Sequence, residues 1–458
     1  MLLAIVIFLA ALAVALRGGR TGLRLLVVLA IFLSPLRGGL LELANDISLS
    51  EPGLTVNAIV PALVAAIAVG SFARHRPGLQ DLPGSLVIAW GLIALAALFS
   101  FPVRVVGLKL YGIGVAQYLV YPTFALAVWP LLEPGDGRRL SRLLIGAGGV
   151  VTVTVLLQAM GIGGFIQAAS AQVDGFAANR YAGVTGSYLH TSAFLGCTAV
   201  LAMGELSALR STLARVGGTA LLAAILSGVV LTFSRSGVVI SIIGAIALFV
   251  FAVSGGRLRF ATMVVPALAI ALAAGAIGGV SPGAAGERVG SGFSPTTDAG
   301  NKLRSESFHE GLTVYGDATL PQKAIGRGVA STGNAQQLVD DSAPKVTVES
   351  YYLKLLVETG AVGLLLVGGF LLWAMVSFSL SAWKPPDPWT ASVGAAGLGL
   401  SLYNMIYPAL ETQILALTWW LLLLVHLWGR ADAPPVGSER RETAEVGGEV
   451  EPAPVLAR

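Results

Sequence analysis

Cysteine is almost missing from this sequence. Cys197 is the single one among 458 residues. An intrachain disulfide and a thiolate zinc site are therefore excluded, and Cys197, inside an apolar run, reads as packing. Charge is scarce too. Only 12% of the residues are Asp, Glu, Lys or Arg, where a soluble domain carries about 25%. The four histidines are scattered, so no metal cluster is visible and no cofactor is called for. No glycine-rich phosphate loop or dinucleotide fingerprint is present. The net charge of +4 is small and reads as topology charge on a membrane protein, not as affinity for nucleic acid.

What the chain has in abundance is apolar sequence, 55% of it. Runs long enough to cross a bilayer recur throughout, at 1–16, 23–38, 55–72, 84–100, 113–132, 143–161, 188–208, 217–233, 237–254, 260–280, 351–380, 389–408 and 411–428. A crossing helix needs about 20 apolar residues. Lipid offers the backbone no hydrogen bonds, so helices are the default. A membrane barrel would show short alternating strands, and these runs are continuous and rich in Leu, Ala, Val and Gly. The predicted fold is all-α, a polytopic transmembrane bundle of 12–13 spans. The N-terminal run lacks a basic leader and a cleavage site and reads as a retained span.

Alternate loops collect the basic residues: Arg17, Arg20 and Arg24; Arg74 and Arg76; Arg138, Arg139 and Arg142; Arg210 and Arg215; Arg257 and Arg259; Lys384; and the tail from Arg430. The positive-inside rule makes this set cytoplasmic. The other face then carries 37–54, 162–187, the turn at Arg235 and a long polar loop. The predicted organisation is membrane helices over 1–280, a large outer loop over 281–350, membrane helices over 351–428, and a disordered cytoplasmic tail over 429–458. A loop of that length is usually functional. No internal repeat is visible, which argues against a transporter built from inverted halves.

Against the charge bias, residues 231–237, LTFSRSG, place an arginine between two greasy runs. The apolar stretch 217–254 is too long for one crossing and about right for two, so the chain must reverse at Ser-Arg-Ser-Gly. A charge at the centre of a span costs about 2.5–3.5 kcal/mol on insertion scales. At the boundary the cost is smaller, but Arg235 still wants a partner, and its neighbours offer no carboxylate. Arg180, just before a span, and Arg304, in the long loop, share this placement. A guanidinium is a planar fork that never loses its charge and pairs bidentately with phosphate. Three of them at one boundary would receive a phosphorylated lipid. Snorkelling to headgroups or pairing with loop acids is the plainer reading of each alone.

Four segments, NRYAGVTGSYLHTSAFLG, LTFSRSG, LRSESFHEGL followed by AIGRGVAST, and VESYYLKLLVETGAVGLLL, resemble the O-antigen ligase and polymerase superfamily over roughly 140–430. The resemblance implies a bacterial inner-membrane glycosyltransferase with one large periplasmic loop. Such an enzyme moves a glycan from a polyprenyl-pyrophosphate carrier to a sugar acceptor. It implies that Arg180 and Arg304 grip the pyrophosphate, that Arg235 supports the site or locks its turn, and that Arg327 belongs to the Gly-x-Gly of the loop. Where the ligase branch carries a histidine, proposed as base, this chain has Glu349, which tilts the reading toward the polymerase branch. A carboxylate can act as base if burial raises its pKa; a helix-start glutamate is the structural alternative.

His309 is a second candidate base, with solvated histidine as the plainer reading. Tyr352 and its neighbour Tyr351 would stack on sugars or join the interfacial aromatic belt. Gly326 and Gly328 would permit a tight turn. Glu411 would line the acceptor path or pair with Arg235. The predicted activity is polymerisation of lipid-linked oligosaccharide repeats into O-antigen, capsule or exopolysaccharide. Transfer to lipid A core or protein is the ligase alternative, and a flippase of lipid-linked sugar the alternative of another class. Expected partners are the polyprenyl-pyrophosphate-linked oligosaccharide, membrane lipid and a chain-length regulator.

Overall fold

The computed structural model describes residues 2–46, 52–162, 180–254, 299–333, 348–383, 385 and 387–431. The predicted span 260–280, much of the large loop and the tail beyond 431 lie outside the described residues.

Every apolar run within the described residues forms helix, and among them there is no strand. The helices are α1 (Leu2–Arg17), α2 (Gly19–Leu33), α3 (Arg37–Asp46), α4 (Pro52–His75), α5 (Gly84–Ser100), α6 (Leu108–Val128), α7 (Asp136–Ala159), α8 (Tyr188–Ala208), α9 (Thr212–Leu231) and α10 (Arg235–Ser254). They continue as α11 (Ala299–Gly316), α12 (Leu320–Ile325), α13 (Tyr351–Gly363), α14 (Gly369–Trp383), α15 (Pro388–Ile406) and α16 (Gln413–Ala431). Among the described residues, 8 helical stretches are long and apolar enough to cross a membrane, beside the shorter apolar helices Leu3–Arg17, Gly84–Ser100 and Arg235–Phe251. The chain is thus a polytopic helical bundle. The last helix runs to Ala431, slightly past the predicted end at 428.

Helix starts follow from local chemistry. The Ser211 hydroxyl accepts from the Ala214 amide at 3.1 Å, and Asp387 accepts from Trp389 and Thr390 ahead of Pro388. Such caps satisfy first-turn amides that have no partner within the helix.

The core centres on α8, which packs against α7, α9, α10 and α15, while α16 fills the space beside it. Small residues let these backbones approach. A Cβ on Gly196 would stand 2.7 Å from the Gly237 carbonyl oxygen of α10. Close approach of this kind replaces hydrophobic driving force between helices in lipid.

The predicted reversal at 231–237 is a three-residue turn, Thr232 to Ser234, with Phe233 at φ +52°. Arg235 is the first residue of α10, not part of the turn itself. Ser192 of α8 pins the turn, its hydroxyl donating to the Ser234 carbonyl at 3.1 Å and accepting from the Gly237 amide at 3.0 Å.

The basic loops at Arg24, Arg74 and Arg138 gather at one end, while Arg257, Arg259, Lys384 and the tail beyond 431 lie outside the described residues. Arg24 reaches Asp136 at 2.8 Å, Arg74 donates to the Leu16 carbonyl, Arg138 reaches Glu205 at 2.7 Å, and Trp389 donates to Ser141. The opposite end carries the turn at 232–234, the stretch 180–187, residues 101–107, α11, α12 and the turn before α16.

The 33-residue stretch Tyr351–Trp383 is interrupted. Gly360 has φ +69°, ψ −173°, and a π-helical turn follows at Leu364–Gly368. The break leaves the Val357 and Glu358 carbonyls outside the helical ladder, and the amides of Arg327 and Gly328 take them at 2.9 and 3.0 Å. Gly326 and Gly360 meet at this junction: a Cβ on either would run into backbone of the other's segment. We expect Gly360→Ala to destabilise the purified protein by about 2 kcal/mol through positive φ and overpacking. An unchanged unfolding midpoint in detergent would show that the break tolerates a side chain.

Candidate active site

Arg180 is held by the residues that follow it. The Tyr181 amide donates to the Leu231 carbonyl at 3.3 Å, on the last residue of α9. Gln158 of α7 accepts from the Ala182 and Gly183 amides at 3.0 and 2.9 Å. The segment before α8 is thereby tied to the turn that leads into Arg235. The Arg180 side chain is buried, and its guanidinium carbon lies 4.7 Å from the centre of the Tyr188 ring. That is a cation–π arrangement.

Arg304 sits on α11 with its Nε 3.4 Å from Oε2 of Glu349, both side chains about one-third exposed. The Glu349 amide donates to the Ser307 hydroxyl at 2.9 Å, so α11 holds the start of α13 twice. Ser350 caps α13 through the Leu353 amide. Burial holds the Glu349 carboxyl above the ordinary carboxylate range, and the neighbouring Arg304 charge pulls it the other way.

Tyr403 of α15 is where these pieces meet. It lies beside Ser236 and within electrostatic reach of Arg304, Glu349 and Tyr188. Its ring stacks on Tyr407, centroids 5.2 Å apart. The Tyr407 hydroxyl is 2.8 Å from Nε2 of His190. Tyr407 also lies within reach of Glu349, Glu411 and Tyr188. The three arginine-bearing segments thus each come near one tyrosine cluster with a histidine at its edge.

Arg327 follows the first glycine of the loop, with Gly326 at φ +86° and Gly328 at φ +98°. Its carbonyl accepts from the Val105 amide at 2.8 Å, and its Nε is buried with no hydrogen-bond partner among the described residues. The other sequence candidates fall elsewhere. His309 is exposed on α11, five residues past Arg304 and without a described side-chain hydrogen bond. Tyr352 packs along α13 toward Leu364 and Gly368, not onto an arginine. Glu411 pairs with Lys354 at 3.0 Å.

The two ends of the bundle differ in how arginines are matched. At the basic-loop end, Arg20, Arg24, Arg138, Arg139 and Arg142 each reach a carboxylate within 3.0 Å. At the site end, Arg37 donates to the Asn57 amide oxygen, Arg104 lies over the Phe101 ring, and Arg180 faces Tyr188. Arg304 makes a long carboxylate contact, 3.4 Å to Glu349.

Sequence reading missed Arg37, Tyr188, His190, Tyr403, Lys354 and Glu358 at this end. Lys354 and Glu358 carried a usable signal, since ionisable residues inside a span are functional by default. The aromatic residues and His190 carried none, because tyrosines at span ends are ordinary belt residues.

No curated protein matches the chain. Residues 220–368 match the family model described as O-Antigen ligase. The matched stretch holds Arg235, Arg304, Arg327, Glu349, Lys354 and Glu358; Arg180, Tyr403, Tyr407 and Glu411 lie outside it. About a third of this polytopic helical membrane protein is thus similar to the O-Antigen ligase family.

Proposed function

We propose that the chain is a polymerase joining polyprenyl-pyrophosphate-linked oligosaccharide repeats at the outer face of a bacterial cytoplasmic membrane. The site end then faces the periplasm and the carboxylate-matched end the cytoplasm. The observation that carries this reading is the gathering of Arg180, Arg304 and the start of α10 near one cluster of Tyr188, Tyr403 and Tyr407. Guanidinium groups gathered in this way suit a phosphorylated ligand, because each is a planar fork that pairs bidentately with phosphate. A pyrophosphate on a lipid would bring such a group to this depth.

In the proposed step, a hydroxyl of the acceptor sugar attacks the anomeric carbon of the donor glycan. The new glycosidic bond forms as the bond from that carbon to the pyrophosphate oxygen breaks. Polyprenyl pyrophosphate leaves with the electron pair. Arg180 and Arg304, with Arg235 at the start of α10, stabilise the charge that develops on it. Glu349 takes the hydroxyl proton, its ion pair with Arg304 setting its position. The tyrosines at 188, 403 and 407 offer ring faces to sugar. The ligase reading keeps the support of the family description; Glu349 in place of a histidine favours the polymerase.

The assay uses purified protein in lipid and a polyprenyl-pyrophosphate oligosaccharide. A product ladder with released polyprenyl pyrophosphate is expected. Product that forms only after a different acceptor is added would mean a ligase, and movement across vesicles without bond formation would mean a flippase. Arg304→Lys should lose on the order of a hundredfold in kcat while still expressing, because a point charge does not replace the bidentate fork. Parent turnover in both Arg180→Ala and Arg304→Ala would remove the site as described.

The raised Glu349 pKa gives a pH signature. A base must be ionised, so kcat/KM should fall as pH drops through a value above 4.5, the group's ordinary one. Glu349→Gln should remove that acid limb along with most of the activity; an unchanged limb would assign the base to another group.

A further inference from the structure

Three ionisable side chains not used above lie together inside the bundle. Lys354, Glu358 and Glu411 have side chains 2%, 0% and 8% exposed. The Lys354 ammonium is 3.1 Å from Oε1 of Glu358, 3.0 Å from Oε1 of Glu411, and donates to the Thr332 carbonyl at 3.4 Å. An ammonium has three donors, and all three are matched. Oε1 of Glu358 also accepts from the Thr332 amide at 3.1 Å and hydroxyl at 2.7 Å. Its Oε2 accepts from the Tyr118 hydroxyl at 2.9 Å.

Four segments distant in sequence meet here: α6, the loop from Gly326 to Gly333, α13, and the turn before α16. Stability alone does not account for such a cluster. Well-packed apolar residues in place of a buried ion pair are often neutral or stabilising, whereas removing one partner costs about 3–5 kcal/mol. What the cluster does fix is geometry. The helix break at Gly360 holds the loop at Arg327 and Gly328, and Lys354 with Glu358 holds it again at Thr332. Between these clamps the loop has little freedom. Arg327 lies at one clamp, with a buried Nε that has no described acceptor. The cluster adjoins the arginine site, since Tyr407 lies within reach of both Glu411 and Glu349, and Tyr118 stacks on Tyr351.

We propose that Lys354 is a positioning residue: by tying the Thr332 carbonyl to Glu358 and Glu411 it fixes the loop that presents Arg327 to the anionic head of the donor. The proposal rests on the lipid-pyrophosphate reading for the identity of that donor, but not for the clamp.

The test uses the full chain in lipid with two readouts. One is the split of donor KM against kcat with polyprenyl-pyrophosphate oligosaccharide. The other is the labelling rate of a cysteine introduced by Arg327→Cys, using a membrane-impermeant maleimide; the native Cys197 is buried. Lys354→Met should raise donor KM on the order of tenfold, the equivalent of about one charge-assisted hydrogen bond, and should speed labelling.

Two milder variants keep the test decisive if Lys354→Met does not fold. Thr332→Val and Tyr118→Phe each remove a hydroxyl donor to Glu358, one from the loop and one from α6. Faster labelling and higher donor KM in Thr332→Val alone support the clamp. Equal effects in both, or no change in either, overturn it. A parent protein that turns over no lipid-pyrophosphate donor sinks the functional reading, while labelling still decides the clamp.

Discussion

Within hydrocarbon, a backbone carbonyl without a donor costs several kcal/mol. That cost governs how this protein is built. The helix that begins at Tyr351 breaks at Gly360, and the carbonyls of Val357 and Glu358 are taken by Arg327 and Gly328. Break and loop therefore satisfy each other's backbone. Once the loop is seated there, Thr332 falls against Glu358, and Lys354 and Glu411 close around them. A polar loop becomes part of the membrane bundle without leaving its backbone unsatisfied.

The same low dielectric shapes the rest of the site end. Serine, glutamine and threonine side chains of α7 and α8 satisfy the irregular backbone at 182–184 and 234–237. These bonds are short-range and directional, so they set where Arg180 and Arg235 stand. Charge is handled differently at the two ends. Carboxylates close the basic-loop end into ion pairs, which suits a surface that only has to stay in place. At the site end Arg180 and Arg104 lie against rings and Arg37 against an amide.

Much of the architecture was legible in advance. Hydrophobic length identified the described membrane helices but not α3, α11 or α12, which are too polar to show as apolar runs, and charge parity grouped the loops that Arg24, Arg74, Arg138 and Trp389 bring together. The turn after α9 was readable because an apolar stretch of that length cannot cross once. Arg180, Arg235 and Arg304 stood out as cations on the wrong side of the bias. The pairing of Glu411 was not readable: Arg235 was the nearer guess on charge grounds, and Lys354, 57 positions back in the sequence, is the residue that packs against it.

The sequence by itself determined that this chain is a polytopic helical bundle and where its long apolar helices fall. Those properties depend on length, hydrophobicity and charge, which are local sums along the chain. Only the tertiary structure decided that Arg304 faces Glu349, that Tyr403 and Tyr407 lie among the arginine segments, and that Lys354 joins Glu358 and Glu411. Such meetings depend on how helices rotate and approach, and small residues such as Gly196 and Gly237 set that approach through contacts no single segment contains.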